Sequence, residues 1–201
     1  MSEVSRETLI SNFFPERGGE ISRYAELLAT VGIERGLIGP KEGDRIWDRH
    51  IANSIPVATL IPQGATVIDI GSGAGLPGVV LALHRPDIKV TLLEPLQRRV
   101  DFLQEVVEEL DLPIAIIRGR AESVKGNFDI VTARAVAPLA KLLPWAWHLV
   151  SPEGALLAIK GESAAVELAE TKLKKGRIGQ VHEIQLDPLP IARVIEVRRG
   201  G

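Results

Sequence analysis

The chain has 201 residues, is 45% hydrophobic, carries a formal net charge of −2 and contains no cysteine. This length supports one sizeable core, and the lack of cysteine excludes disulfides, cysteine-ligated zinc and thiolate catalysis. The net charge argues against nucleic-acid binding through bulk positive charge, and no apolar stretch approaches the roughly 18 to 20 residues that cross a bilayer. We therefore expect a soluble, cytoplasmic protein with no membrane partner.

Two helical segments are predicted before the first strand. Apolar residues at three- and four-residue spacing predict a helix over about 6–35, and a second helix is expected from about Glu42 to Leu60, before Pro62 and Gly64. We expect residues 1–62 to form a helical cap that packs on a core of residues 63–201, both within one structural unit.

From Thr66 onward, short apolar runs alternate with amphipathic helices, which is typical of a parallel sheet covered on both faces. Two final strands after this alternation indicate an antiparallel edge. The sequence therefore predicts an α/β fold with a doubly wound, mostly parallel, Rossmann-like sheet of about seven strands. The predicted strands are Thr66–Ile70, Lys89–Leu93, Ile114–Ile117, Asp129–Thr132, Ala155–Ile159, Val181–Leu186 and Arg193–Val197, and the predicted helices are Gly78–Leu83, Gln97–Leu110, Leu139–Leu149 and Ala164–Lys175.

A glycine-rich turn joins the first of these strands to a helix, within residues 67–78. Glycine is required there because the backbone must adopt conformations closed to other residues and must approach a ligand closely. The turn has the form Gly-x-Gly-x-Gly, beginning at Gly71 and Gly73, with Asp69 two positions before the first glycine. This form suits a nucleoside that carries an amino acid, although other glycine registers leave a dinucleotide open.

Two further loops at the carboxyl ends of strands are candidate ligand contacts. Glu94 lies 23 residues after Gly71, a position from which a carboxylate accepts hydrogen bonds from ribose hydroxyls, unless it is a capping or surface residue. After the third strand, the Ala121 backbone and Glu122 are expected to border an adenine ring.

Six segments together resemble the ordered motif set of the RsmG (GidB) family, over about residues 20–200. These segments are 48–51, 69–78, 93–96, 119–122, 134–137 and 157–161. The resemblance implies an S-adenosylmethionine-dependent methyltransferase that modifies guanine N7 in small-subunit ribosomal RNA, acting as a monomer on the assembled small subunit, without a metal. It implies cofactor contacts at Gly71, Gly73, Leu76, Glu94, Ala121, Glu122 and Arg134, and substrate contacts at Arg49, His50 and Lys160.

The N-terminal cap departs from this family. Many members carry a Trp-Asn-x-x-x-Asn-Leu-Thr stretch before the Asp-Arg-His segment, whereas this chain has Val-Gly-Ile-Glu-Arg-Gly-Leu-Ile at residues 31–38. The detailed role of the cap is therefore left open.

The residue types present restrict the methylation chemistry. Pyrimidine C5 methylation requires a nucleophile that is normally cysteine, and residues 132–136 lack the Pro-Pro-aromatic segment typical of exocyclic amine methylation. Guanine N7 already has an in-plane lone pair, so no general acid or base is assigned. Catalysis then depends on positioning, which can contribute roughly 7 to 11 kcal/mol.

Three alternatives remain at this point. They are methylation of a different RNA guanine, a non-catalytic RNA-binding protein that retains the fold, and a nicotinamide oxidoreductase. RNA binding would require a local basic face, unless these side chains are ordinary solvated residues. The candidates are Arg98, Arg99, Arg118, Arg120, Arg134, Lys160, Lys172, Lys174, Lys175 and Arg177.

Overall fold

The computed structural model describes residues 5–200, so the outer ends of the two predicted units, residues 1–4 and 201, lie outside the described residues. Seven strands form one sheet in the order β3-β2-β1-β4-β5-β7-β6. The first five strands are parallel, and β7 runs antiparallel to both β5 and β6. The predicted doubly wound sheet with an antiparallel edge is therefore confirmed. The strands are β1 (Thr66–Ile70), β2 (Lys89–Glu94), β3 (Ala115–Arg118), β4 (Phe128–Arg134), β5 (Val150–Lys160), β6 (Arg177–Ile184) and β7 (Ala192–Arg199).

Helices cover both faces of this sheet. Amphipathic α4, for example, buries Val100, Leu103 and Val106 at the spacing of one helix face. The helix that was predicted to reach Lys175 ends at Glu170, where the buried Thr171 donates its hydroxyl to the Glu167 carbonyl. The α-helices are α1 (Arg6–Phe13), α2 (Gly18–Leu27), α3 (Gly78–His84), α4 (Gln97–Glu109), α5 (Leu139–Ala146) and α6 (Ala164–Glu170).

The N-terminal region differs from the two predicted long helices. The first is divided into α1 and α2, followed by one π-helical turn at Leu28–Gly32. The second is replaced by short 3₁₀ and π-helical turns between residues 40 and 60. Pro56 cannot donate a helical hydrogen bond, and the carbonyl groups of Arg49 and His50 accept hydrogen bonds from a side chain of the sheet. Both effects work against one regular helix.

The helices and turns of residues 5–60, which we call the N-terminal turns, pack on one face of the sheet. Leu9 and Tyr24 share a continuous hydrophobic cluster with Val79 of α3 and Leu103 of α4. The Tyr24 hydroxyl is fully buried and donates a 2.8 Å hydrogen bond to the carbonyl of Ala74 in the glycine-rich turn. Across residues 5–200, no helix combines the length and the apolar character needed to span a bilayer.

Candidate cofactor and substrate site

The glycine-rich turn adopts the backbone conformations that the sequence predicted. Gly71, Gly73 and Gly75 all have positive φ, at 65°, 61° and 99°. A Cβ added to Gly71 would lie 2.9 Å from Val136 Cγ2, so a larger residue there would be strained twice, by its backbone and by its neighbour. The Gly71 and Ser72 amides both donate to the Leu93 carbonyl, which fixes the turn against the end of β2.

Glu94 connects two loops at the carboxyl edge of the sheet. Its carboxylate is fully buried and accepts hydrogen bonds from the amides of Gly73 and Leu96, each at 3.0 Å. Arg99 lies 3.6 Å away and partly balances the charge. Because one oxygen contacts the glycine-rich turn and the other the loop after β2, Glu94 holds these two loops in a fixed relation.

Asp69 lies beneath the same turn. Its Oδ2 accepts a 3.1 Å hydrogen bond from the Gly78 amide at the start of α3, whereas Oδ1 has no hydrogen-bond partner among residues 5–200. Burial raises the pKa of this carboxyl to about 7, although the Gly78 amide and Ser72 act in the opposite direction. The buried Asp69 carboxyl next to the glycine-rich turn is therefore a titratable group.

A first cavity of about 270 Å³ opens beside the turn. Gly71, Ala121 and Glu122 all line it, together with Pro95, Val136 and Trp145 among others. Glu94 and Gly73 are hydrogen-bonded to each other next to these lining residues. Leu76 is only 5% exposed and belongs to the hydrophobic cluster, so its side chain does not line the cavity.

Arg134, the last residue of β4, reaches the N-terminal turns. Its guanidinium donates to the carbonyls of Arg49 and His50 at 3.3 Å, and it lies 3.1 Å from His50 Nδ1. Arginine can only donate, so Nδ1 accepts and the imidazole proton belongs on Nε2, which lies 3.2 Å from Glu42 Oε2. Burial, followed by the charge of Arg134, lowers the pKa of His50, which favours this neutral form.

A second cavity of about 480 Å³ lies at the ends of β4 and β5. It brings together Arg134 and Lys160, but Arg49 and His50 do not line it. Arg134, Ala135 and Val136 follow one another in the chain, and Ala135 lines the second cavity whereas Val136 lines the first. The two cavities are therefore neighbours on either side of this segment, in which Ala135 has an unusual φ of 55°.

The positive side chains of the second cavity already have partners. Lys160 is 2.7 Å from Glu167 and donates to the Ala137 carbonyl, and Arg193 is 2.8 Å from Glu183. Asn53 and Glu162 also line this cavity, and neither was among the site residues predicted from the sequence. Asn53 follows the Asp-Arg-His segment by three positions, which was the available signal, whereas an exposed glutamate in a loop offers none.

In the part of the chain that the structure describes, no three His, Asp or Glu side chains are grouped as a metal site.

Known proteins resemble this chain in sequence and in fold. A family model described as rRNA small subunit methyltransferase G matches residues 18–185. The ribosomal RNA small subunit methyltransferase G of Thermobifida fusca (strain YX) is 56% identical, over 99% of this chain and 79% of that protein. The protein of the same name from Mycobacterium sp. (strain JLS) is 47% identical, over 100% of this chain and 93% of that protein.

Solved structures give the same fold at lower identity. The Bacillus subtilis M1A22 tRNA methyltransferase TrmK matches with a TM-score of 0.57 at 20% identity, over 76% of this chain and 66% of that chain. The TYW2 protein of M. jannaschii in complex with AdoMet matches with a TM-score of 0.57 at 17% identity, over 75% of this chain and 76% of that chain. These likenesses identify the class I methyltransferase fold.

Proposed function

Because the chain belongs to the rRNA small subunit methyltransferase G family, we propose that it transfers a methyl group from S-adenosylmethionine to N7 of one guanine in small-subunit rRNA. It is an rRNA methyltransferase with a class I fold. The observation that carries the finer proposal is the pair of neighbouring cavities, which the segment Arg134-Ala135-Val136 separates. One cavity suits a nucleoside cofactor, and the other suits a base.

The first cavity fits S-adenosylmethionine. Gly71 lines this cavity with its backbone packed against Val136, and Ala121 and Glu122 would border the adenine. Glu94 would accept hydrogen bonds from the ribose hydroxyls through lone pairs that the Gly73 and Leu96 amides leave free, and because its carboxylate is fully buried, these two loops would have to separate slightly as the cofactor binds. The Leu76 contribution would come from its backbone, since its side chain is buried. The cofactor supplies an electrophilic methyl group on a sulfonium.

The second cavity fits the Watson–Crick edge of guanine. Guanine N1–H and N2–H₂ are donors, so they require acceptors. The Asn53 amide nitrogen donates to the Arg49 carbonyl, which leaves its Oδ1 as an acceptor, and Glu162 has no ion-pair partner among residues 5–200. Glu162 would accept from N1–H and N2–H₂ together, while Arg134 and Lys160 hold the surrounding backbone.

Positioning is the main catalytic contribution in this proposal. Guanine N7 attacks with its in-plane lone pair, so the chain needs no residue to remove a proton first. The residues around the second cavity would hold N7 in line with the methyl group, an effect worth roughly 7 to 11 kcal/mol in favourable cases. Arg49 and His50 would act through the shape of the N-terminal turns, because their side chains point to Glu42.

We also propose that the substrate is the assembled small subunit and that the enzyme acts as a cytoplasmic monomer. The test combines purified protein, methyl-labelled S-adenosylmethionine and small subunits, followed by nucleoside analysis. Label in N7-methylguanosine supports the proposal, and label in another nucleoside contradicts it. A subunit in which 7-deazaguanosine replaces the target should accept no label, because it lacks the attacking nitrogen. Binding of S-adenosylmethionine but not NAD separates this function from a nicotinamide oxidoreductase.

A further inference from the structure

Positive side chains gather at the end of the sheet opposite the two cavities. Lys172, Lys174 and Lys175 form the loop that leads into β6, and Arg177 begins that strand directly opposite Arg199 of β7. We name these five residues the basic edge. In the structure of residues 5–200, none of the five makes an ion pair with an acidic side chain, whereas Arg17, Arg23, Arg35 and Arg85 elsewhere all do.

Trp147 organises the two arginines of the basic edge. The Arg177 guanidinium carbon lies 4.2 Å from the centroid of the indole ring, and that of Arg199 lies 5.3 Å away. Arg199 is fixed further by hydrogen bonds to the carbonyls of Val150 and Ser151. The two like charges are therefore held close together on one aromatic platform, and burial together with Arg199 lowers the pKa of Arg177.

The three lysines are directed outward by the packing of their own loop. Leu173 packs against the hydrophobic cluster on this face of the sheet and lies close to Gly179 of β6. Lys172 and Lys174, on either side of Leu173, are exposed, as is Lys175. An ordered loop thus presents three cations beside a rigid arginine pair, and none of the five lies within ion-pair distance of a carboxylate among the described residues.

We propose that the basic edge is a second RNA-binding surface, which contacts rRNA phosphates away from the target guanine. This inference rests on the proposed function, since it assumes an rRNA substrate. A row of closely spaced phosphates matches a surface of unpaired cations, and its counterions are released on binding. Arg193 lines the second cavity and Arg199 lies six residues further along β7, so the two sites are about 20 Å apart at the usual strand rise.

This separation predicts a substrate preference. A short RNA fragment that carries only the target guanine cannot reach both surfaces, whereas folded rRNA can present a neighbouring helix to the basic edge. The contacts should therefore increase affinity for the small subunit and for full-length small-subunit rRNA, and leave a short fragment unaffected.

The test is the triple variant Lys172→Gln, Lys174→Gln, Lys175→Gln. Its matched control removes the same charge from three exposed lysines elsewhere, Lys41, Lys89 and Lys141. We expect the basic-edge variant to bind small subunits at least about tenfold more weakly at physiological salt. The slope of the logarithm of the binding constant against the logarithm of the salt concentration should be shallower by roughly two to three. Its affinity for S-adenosylmethionine and its methyl transfer to a short fragment should be unchanged, and the control should bind small subunits normally.

Each other outcome overturns the inference. Unchanged subunit affinity and salt slope would show that the basic edge makes no contact, and an equal loss in the control would show a bulk charge effect. Weaker binding to small subunits with normal binding to protein-free rRNA would identify a ribosomal protein as the partner. The affinity for small subunits is measured without methyl transfer, so it tests only the basic edge. A failure of the proposed N7 chemistry would appear in the separate labelling experiment, as unlabelled guanosine.

Discussion

Arg134 Nη2 lies 3.1 Å from His50 Nδ1, across 84 residues of sequence. This contact joins the end of β4 to the π-helical turn at Ile46–Ile51, and two carbonyls of that turn accept hydrogen bonds from the same guanidinium. One planar side chain therefore fixes the N-terminal turns against the segment that separates the two cavities.

Replacing Arg134 by lysine tests this role. A lysine ammonium cannot reach three acceptors with the fixed geometry of the guanidinium fork, so the N-terminal turns should lose their position. We expect Arg134→Lys to remain folded and to lower kcat/KM for methyl transfer to small subunits at least about tenfold, which is roughly 1.4 kcal/mol in the barrier. Near-normal turnover by the folded variant would mean that the contact is dispensable.

Glu94→Gln tests the cofactor site. A glutamine can direct only one oxygen, so its NH₂ group would face the amide of Gly73 or Leu96 as a second donor. We expect affinity for S-adenosylmethionine to fall by about 1.5 to 3 kcal/mol in calorimetry, the range for hydrogen bonds to a charged group. Glu108→Gln, an exposed change on α4, is the control and should bind normally. Equal affinities for the two variants would exclude Glu94 from the ribose contact.

Asp69→Asn should change how stability depends on pH. The folded-state pKa of about 7 lies above the unfolded value near 4, so the folded state retains a proton that the unfolded state has lost. The stability that the folded state gains from this proton is fully present below about pH 4 and is lost as the pH rises to about 7. Between pH 5 and pH 8, the free energy of unfolding of the wild-type protein should therefore fall by on the order of 2 kcal/mol more than that of Asp69→Asn. The free energy of unfolding is measured by urea denaturation at each pH. The same pH dependence for the two proteins would contradict the raised pKa of Asp69.

Glu162→Gln tests guanine recognition. The amide would place a donor towards the N1–H and N2–H₂ donors of guanine, so kcat/KM should fall about tenfold, within the 1 to 3 kcal/mol expected for a bidentate base contact. S-adenosylmethionine affinity should stay normal. Replacing the target guanosine by inosine removes the N2–H₂ group. The resulting loss in kcat/KM should be smaller for Glu162→Gln than for the wild-type protein. Additive penalties would show that Glu162 does not contact that edge.

The sequence predicted the sheet and the turn because each depends on local pattern. The short apolar runs predicted all seven strands, although β5 begins five residues and β6 four residues earlier than expected, and the glycines of residues 71–75 predicted the positive-φ turn. The prediction of two long N-terminal helices was wrong. The first is divided between Phe13 and Gly18, where Pro15 interrupts the helical pattern, and the second is replaced by turns whose His50 carbonyl accepts a hydrogen bond from Arg134, 84 residues away. Local periodicity contains no trace of such a contact.

The same distinction holds for the site. Gly71, Ala121 and Glu122 were predicted from motifs and line one cavity. The double role of Glu94 in joining two loops, and the burial of the Leu76 side chain, depend on packing between loops. Glu162 lies in an exposed loop, and only the cavity around it suggests a function.

Methylation of one guanine N7 in small-subunit rRNA leaves a chemical mark that can be mapped on the RNA itself. N7-methylguanosine is mapped by strand scission in small-subunit rRNA from cells with and without this protein. We expect one cleavage site that disappears without the protein and returns when purified protein and S-adenosylmethionine are added to the subunits. An unchanged cleavage pattern, or the loss of a modification other than N7-methylguanosine, would contradict the proposed function.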